Sequence, residues 1–156
     1  ILATAIEFEK HGDGYYLRFL ELVTDDGAKA LMRGLASDEK EHAEILTKEL
    51  ESLGGKAKPP SKKEVEKGLR AIFPDDDVRG PLGSKGAAAA LKMGIKTEER
   101  SIAFYSKNGA NAPPQLRKIF EKLERMERAH LELLAENLRS LEDQNSWYGY
   151  VPILEG

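Results

Sequence analysis

The sequence contains no cysteine, so this chain cannot use disulfides, thiolate nucleophiles or sulfur-ligated metals. Any metal site in it must be built from oxygen and imidazole nitrogen. Long apolar runs are also missing, since none approaches the roughly 20 residues that a transmembrane helix needs. The net charge of -3 leaves no basic excess to neutralise phosphates. We therefore expect no membrane and no nucleic-acid partner, and the lack of cysteine fits a reducing, cytoplasmic environment.

The length of 156 residues suits one domain with its own core, and we expect a single domain over residues 1–156. Stretches rich in Leu, Ala, Glu and Lys predict four helices, which begin near residues 2, 28, 84 and 113. The predicted parts are a hairpin at 1–54, a crossover at 55–84, a second hairpin at 85–142 and a tail at 143–156. The crossover is dense in Pro and Gly, and one short helix is expected near 62–69.

The two hairpins repeat each other in sequence. The second and fourth helices match at an offset of 88, and the first and third match at an offset of 89. The steps are threes and fours within the two longer sets, and they are four, three and seven within the shorter sets, so each set forms one stripe on a helix face. The longer sets are Met32, Leu35, Glu39, His42, Leu46, Leu50, Leu53 and Phe120, Leu123, Glu127, His130, Leu134, Leu138, Leu141. The shorter sets are Leu2, Ile6, Glu9, Tyr16 and Leu91, Ile95, Glu98, Tyr105.

Polar residues interrupt these apolar stripes in register. A single Glu-x-x-His pair is compatible with a solvated helix face, but two pairs at matching stripe positions favour a buried cluster. Buried carboxylates cost several kcal/mol unless they are paired. Counting about 1.5 Å per residue from each hairpin turn places the stripe glutamates of all four helices at one depth. Glu9 and Glu98 are chosen over the adjacent Glu7 and Glu99 because they fall on the stripes.

One glutamate from each of two helices plus Glu-x-x-His from each of the other two is the dinuclear carboxylate pattern of ferritin-like bundles. The segments that carry it are "EFEKHGDGYY", "DEKEHAEIL", "KTEERSIAFY" and "MERAHLELL". Through them the chain resembles ferritin-like di-iron carboxylate proteins of the rubrerythrin-related group, over nearly all of its length except the crossover and tail. The resemblance implies an all-α, ferritin-like four-helix bundle of two repeated helical hairpins joined by a long crossover.

The resemblance also implies a ligand set for two metal ions. Glu39 and Glu127 would bridge, Glu9 and Glu98 would be terminal ligands, and His42 and His130 would bind one ion each. Two iron ions are the expected cofactors, with manganese or zinc as alternatives. Tyr16 and Tyr105 lie two turns beyond the terminal glutamates. Either they assist catalysis by hydrogen-bonding ligand carboxylates, or they are core aromatic residues.

The chain departs from the rubrerythrin pattern in two respects. Typical members carry a further ligand glutamate where this chain has Ser101, and they usually carry a rubredoxin domain with Cys pairs. Without cysteine, electrons would come from a separate donor protein. The expected function is an oxidoreductase acting on peroxide or dioxygen, and the alternatives are ferroxidase or iron handling at the same site, or a metal-stapled bundle that serves assembly or partner binding.

The C-terminal tail contains three large aromatic residues, Trp147, Tyr148 and Tyr150. We expect them to pack the tail onto the bundle, with a dimer contact as the alternative. The expected assembly is a homodimer.

Overall fold

The computed structural model describes residues 1–54, 61–63, 67 and 84–153. These residues form four helices: α1 (Leu2–Leu22), α2 (Asp26–Ser52), α3 (Ser84–Ala110) and α4 (Pro114–Gln144). α1 packs along α2 and α3 packs along α4, which confirms the predicted all-α bundle of two hairpins. Most of the predicted crossover, and most of the short helix expected near 62–69, lie outside the described residues.

Local sequence signals set the ends of the helices. The Asp25 carboxylate accepts hydrogen bonds from the backbone N–H groups of Gly27 (2.7 Å) and Ala28 (3.2 Å) and so caps α2. α4 begins with Pro114, where a missing N–H costs no helical hydrogen bond. It ends at Asn145, which adopts the left-handed conformation with φ 50°. Both hairpin connections are therefore short, and the two helices of each hairpin run antiparallel.

Two apolar clusters fill the bundle, one near each end. The larger cluster lies around the α1–α2 turn and contains, among others, Phe19, Leu31, Leu35, Leu91, Leu134 and Leu141. The smaller cluster lies around the α3–α4 turn and contains Leu2, Ala5, Ile6, Leu46, Tyr105, Phe120, Leu123 and Met126. The two turns thus lie at opposite ends of the bundle, so the connection from α2 to α3 joins opposite ends. A layer of buried polar side chains separates the two clusters.

The predicted stripe of the second helix is wrong at its last member. Leu53 follows the end of α2 as its C-cap, and its side chain is 54% exposed. Leu53 has already left the helix, with φ -83° and ψ 9°, and Gly54 after it has a φ of 85°, so the helical spacing that defines the stripe no longer applies at Leu53. Within the described residues, no helix is long and apolar enough to cross a membrane.

The tail after α4 folds back onto its own bundle. Trp147 and Tyr150 pack against the larger apolar cluster, as the tail prediction expected. Tyr148 does not, since 56% of its side chain is exposed. The buried side chain of Asn137 in α4 holds the tail backbone at Gly149: its amide donates to the carbonyl of Gly149 (2.9 Å) and accepts from its N–H (2.7 Å).

Candidate metal centre

The polar layer consists of the six side chains that the sequence selected as metal ligands. α1 and α3 supply one glutamate each, while α2 and α4 supply a glutamate and a histidine each. None is more than 4% exposed, and they are Glu9, Glu39, His42, Glu98, Glu127 and His130. The neighbours that the stripes rejected, Glu7 and Glu99, are exposed. The helix periodicity therefore separated the inward glutamates from the outward ones.

Two of the glutamates each face both histidines. Glu39 lies with Oε2 3.5 Å from Nδ1 of His42 and with Oε1 3.2 Å from Nδ1 of His130. Glu127 repeats the arrangement, with Oε1 3.2 Å from His42 Nδ1 and Oε2 3.0 Å from His130 Nδ1. Each carboxylate thus presents one oxygen to each side of the layer. This is the orientation that a carboxylate bridging two ions requires.

The other two glutamates each face one histidine. Glu9 Oε2 lies 3.3 Å from Nδ1 of His42, and Glu98 Oε1 lies 3.6 Å from Nδ1 of His130. Two overlapping groups result, in each of which one potential ligand atom per residue lies within 4.8 Å of the others. The first group is Glu9, Glu39, His42 and Glu127, and the second is Glu39, Glu98, Glu127 and His130. Oxygen and imidazole donors in this arrangement fit two divalent transition-metal ions.

The charges within the layer favour the protonated form of four of its six groups. Burial would lower the pKa of both histidines, but the surrounding carboxylates outweigh burial and raise the pKa of His42 and His130 well above its usual value. Burial, reinforced by the neighbouring glutamates, raises the pKa of Glu9 and Glu98 well above the usual value of a glutamate. These four groups therefore stay protonated above the pH at which they would ionise in water.

The two central glutamates behave in the opposite way. Burial acts to raise the pKa of Glu39 and Glu127, but contacts with the two histidines, and for Glu39 also with Glu9, outweigh it and hold both pKa values below normal. At a pH where both histidines are charged and Glu9 and Glu98 are protonated, the two imidazolium ions balance the two carboxylates of Glu39 and Glu127. A buried layer of six ionisable groups is tolerable because it is neutral.

The two tyrosines hydrogen-bond the terminal glutamates crosswise between α1 and α3. The Tyr16 hydroxyl donates to Oε1 of Glu98, and the Tyr105 hydroxyl donates to Oε1 of Glu9. Burial, followed by the adjacent carboxylate, raises the pKa of both tyrosines, so each stays a donor. Each tyrosine hydroxyl therefore hydrogen-bonds a candidate ligand carboxylate, which is the first of the two interpretations given above. The catalytic role of the tyrosines stays a prediction.

Sequence reasoning missed two residues outside the layer. Asp38 accepts a hydrogen bond from Nε2 of His130 (2.9 Å), and the Tyr150 hydroxyl donates to both oxygens of Asp38 (3.0 and 3.1 Å). The repeat carried no signal for this contact, because the residue 88 positions after Asp38 is Met126. Within the described residues, Nε2 of His42 has no hydrogen-bond partner.

A small cavity adjoins the layer between α1 and α3. It measures about 10 Å³, and its lining includes Glu9, Glu39, Glu98 and Ser101 together with Tyr16 and Tyr105, but neither histidine. A cavity of that size admits one water or a molecule of similar size. The cavity thus touches both terminal glutamates and one central glutamate of the layer.

Comparison with known protein families shows a match over most of the chain. A family model described as Rubrerythrin matches residues 1–138, which include all four helices up to the last turns of α4. No curated protein and no solved structure matches the chain significantly.

Proposed function

The chain belongs to the rubrerythrin family, and we propose that its polar layer holds two iron ions and that the protein is an oxidoreductase acting on peroxide or dioxygen. One observation carries the proposal: Glu39 and Glu127 each turn one oxygen toward each histidine. An ordinary buried ion pair needs only one such contact per carboxylate. Two carboxylates that face both histidines together are what a pair of adjacent ions requires.

His42 and Glu9 would hold one ion, and His130 and Glu98 would hold the other. Glu39 and Glu127 belong to both groups of potential ligand atoms and would serve both ions. Four carboxylates balance two divalent cations, so the occupied layer would again carry no net charge. Manganese or zinc would satisfy the same donor set, so the metal needs a direct measurement.

The chemistry that ferrous ions would supply is two electrons per reaction, which with two protons reduce one hydrogen peroxide to two waters. The chain's own residues would shape the site for it. The cavity beside Glu9, Glu39 and Glu98 offers room for a very small molecule next to the candidate ligands. Tyr105 holds the Glu9 oxygen that faces away from His42, whereas Tyr16 holds the Glu98 oxygen that also faces His130. Each contact would fix the orientation of one terminal carboxylate.

The proposal includes partners as well. A separate donor protein would return the electrons, since this chain has no cysteine for an iron–sulfur or thiol relay of its own. A homodimer and a cytoplasmic location are also proposed. Sedimentation of the purified chain tests the dimer, and fractionation of cells tests the location.

The experiment loads the chain anaerobically with ferrous iron, removes excess iron, and then adds hydrogen peroxide or dioxygen. Ferric absorbance should rise with a limit of two ferrous ions oxidised per chain, and one peroxide should be consumed for every two ions. Dithionite, as a substitute for the donor, should restore the ferrous protein for another cycle. Glu39→Gln should abolish the reaction, while Glu44→Gln, an exposed position on the same helix, should leave it unchanged.

Two other outcomes would favour the alternative functions. Oxidation that continues well past two ferrous ions per chain without a reductant, with ferric iron leaving the site, would indicate ferroxidase or iron handling. Tight metal binding without oxidation by either oxidant would indicate a metal-stapled bundle. Failure of the chain to bind iron would contradict the proposed centre itself.

A further inference from the structure

The tail is seated on the bundle by a specific set of contacts rather than by general apolar packing. Asn137 binds the backbone of Gly149 through two hydrogen bonds, and Gly149 adopts a φ of 91° that L side chains rarely adopt. The next residue, Tyr150, lays its ring across the α2 backbone at Gly34, where an added Cβ would lie 2.1 Å from the ring. Only glycine leaves room for the ring at that position.

The position of the tail connects the Tyr150 hydroxyl to the candidate ligand His130 through a single residue, Asp38. The hydroxyl donates to both oxygens of Asp38, and Asp38 accepts from Nε2 of His130. A histidine that donates one ring N–H to a carboxylate has its tautomer and ring direction fixed, so its other nitrogen is left free as a ligand. For His130 that other nitrogen is Nδ1, which faces Glu39 and Glu127.

The opposite side of the layer lacks this support. The repeat places Met126 where Asp38 stands in the first hairpin, and a thioether is a weak acceptor. Nε2 of His42 is buried without a hydrogen-bond partner in the described part of the chain. The two hairpins therefore supply the same types of inward side chain to the layer, but only the imidazole of His130 has a carboxylate partner on its Nε2.

We infer that the tail is a working part of the metal centre: Tyr150, acting through Asp38, positions His130, so the metal position at His130 depends on the seated tail and the one at His42 does not. The inference deepens the proposed dinuclear centre and rests on it. Tyr150 and Asp38 are positioning residues, since neither belongs to the groups of potential ligand atoms. Because coupling between two sites is reciprocal, metal at His130 should in turn stabilise the seated tail.

The test uses Co²⁺ as a spectroscopic probe of the full chain and compares Tyr150→Phe with Tyr148→Phe. Tyr148 is the matched control, because it lies in the same tail and is exposed. Wild type and Tyr148→Phe should bind two Co²⁺ with the same affinities. Tyr150→Phe should weaken one of the two positions by up to about tenfold and leave the other unchanged. This is less than the full effect of a hydrogen bond to a charged group, because Asp38 keeps its own contact with His130. Asp38→Ala should weaken the same position by about 10-fold to 100-fold, and Asp38→Asn, which keeps an acceptor, should restore part of the loss.

Assignment of the weakened position distinguishes positioning from general loosening. In a His42→Ala background the Tyr150→Phe effect should persist, and in a His130→Ala background it should vanish. If a histidine variant does not fold, the single Tyr150→Phe titration still decides between one weakened position and two. Trp147 is the only tryptophan, so its fluorescence reports the tail, and Zn²⁺ should change it in wild type more than in Asp38→Ala.

Equal weakening of both positions, or Tyr150→Phe titrating like Tyr148→Phe, would overturn the inference about the tail while leaving the metal centre intact. A wild type that fails to bind two Co²⁺ would overturn the proposed centre, and with it the inference that rests on it.

Discussion

Loading the polar layer with two divalent ions near pH 6 should release protons, up to about four per chain. The number follows from the protonation of the metal-free layer. His42 and His130 have pKa values raised well above the usual 6.5, and Glu9 and Glu98 have pKa values raised well above the usual 4.5. Each of these four groups must lose a proton before it can bind a cation. Four positive charges enter and four leave, so the buried layer stays neutral.

The measurement is isothermal titration with Zn²⁺, which has no redox chemistry, in several buffers of different ionisation enthalpy at one pH. The slope of the observed enthalpy against buffer enthalpy gives the protons released. Glu9→Gln should reduce the release by about one proton and weaken one ion, because a glutamine neither loses a proton nor supplies an anionic ligand. Glu7→Gln is the matched control, since Glu7 is two residues away and half exposed.

Release close to zero at pH 6, with two ions bound, would refute the charge assignment of the metal-free layer. Release of about two protons would mean that only the histidines, or only the terminal glutamates, are protonated. The Glu9→Gln result separates these cases, because only the second case loses a proton on that substitution.

Three further predictions follow from the same structure. Metal analysis after reconstitution should find two ions per chain, and His42→Ala and His130→Ala should each lose about one; unchanged loading would show that the substituted histidine is not a ligand. Metal-free protein should melt at a lower temperature at pH 7.5 than at pH 5. Groups whose pKa is raised in the folded protein stabilise the fold fully below their unfolded pKa of about 4.5 (Glu) or 6.5 (His), and they lose that contribution as the pH rises through the folded pKa. Divalent metal at a thousandfold excess over its dissociation constant should raise the free energy of unfolding by about 4 kcal/mol. The rise in melting temperature on adding metal should be larger at pH 7.5 than at pH 5, and a rise that is no larger at pH 7.5 would contradict the predicted pH dependence. Gly34→Ala should destabilise the fold by about 1–3 kcal/mol because it displaces the Tyr150 ring. Gly14→Ala, with nothing within 4 Å of the added Cβ, should instead stabilise the fold by about 0.5–1 kcal/mol. Urea denaturation measures both free energies of unfolding, and equal effects would contradict the close contact between Gly34 and Tyr150.

The bundle and its polar layer could be predicted from sequence because both rest on helix periodicity. A helix repeats every 3.6 residues, so the stripe positions alone distinguish Glu9 from Glu7 and Glu98 from Glu99. The internal repeat then predicted that glutamates and histidines of four helices lie at one depth. In the structure those six side chains lie together. Their role as metal ligands stays a prediction.

The surroundings of the layer could not be predicted in this way. Asp38 lies one residue outside the stripe, where a charged side chain on a helix is normally solvated, and its partner Tyr150 is 112 positions away in the chain. Periodicity describes one helix at a time, so it carries no information on where an irregular tail returns to the bundle. Leu53 was misplaced for a related reason: its spacing fits the stripe, but α2 has already ended at Ser52.

The difference between Asp38 and Met126 has a consequence for why one chain carries both hairpins. Two separate copies of a single hairpin could pair about a two-fold axis and present the same inward ligands twice. Such a symmetric pair would have to give both imidazoles identical surroundings, because every substitution appears in both copies. A covalently joined repeat is free of that constraint, so one half can acquire a carboxylate and a tail that the other lacks. Covalent linkage thus allows two neighbouring ions in one centre to differ in affinity and in the order in which they bind.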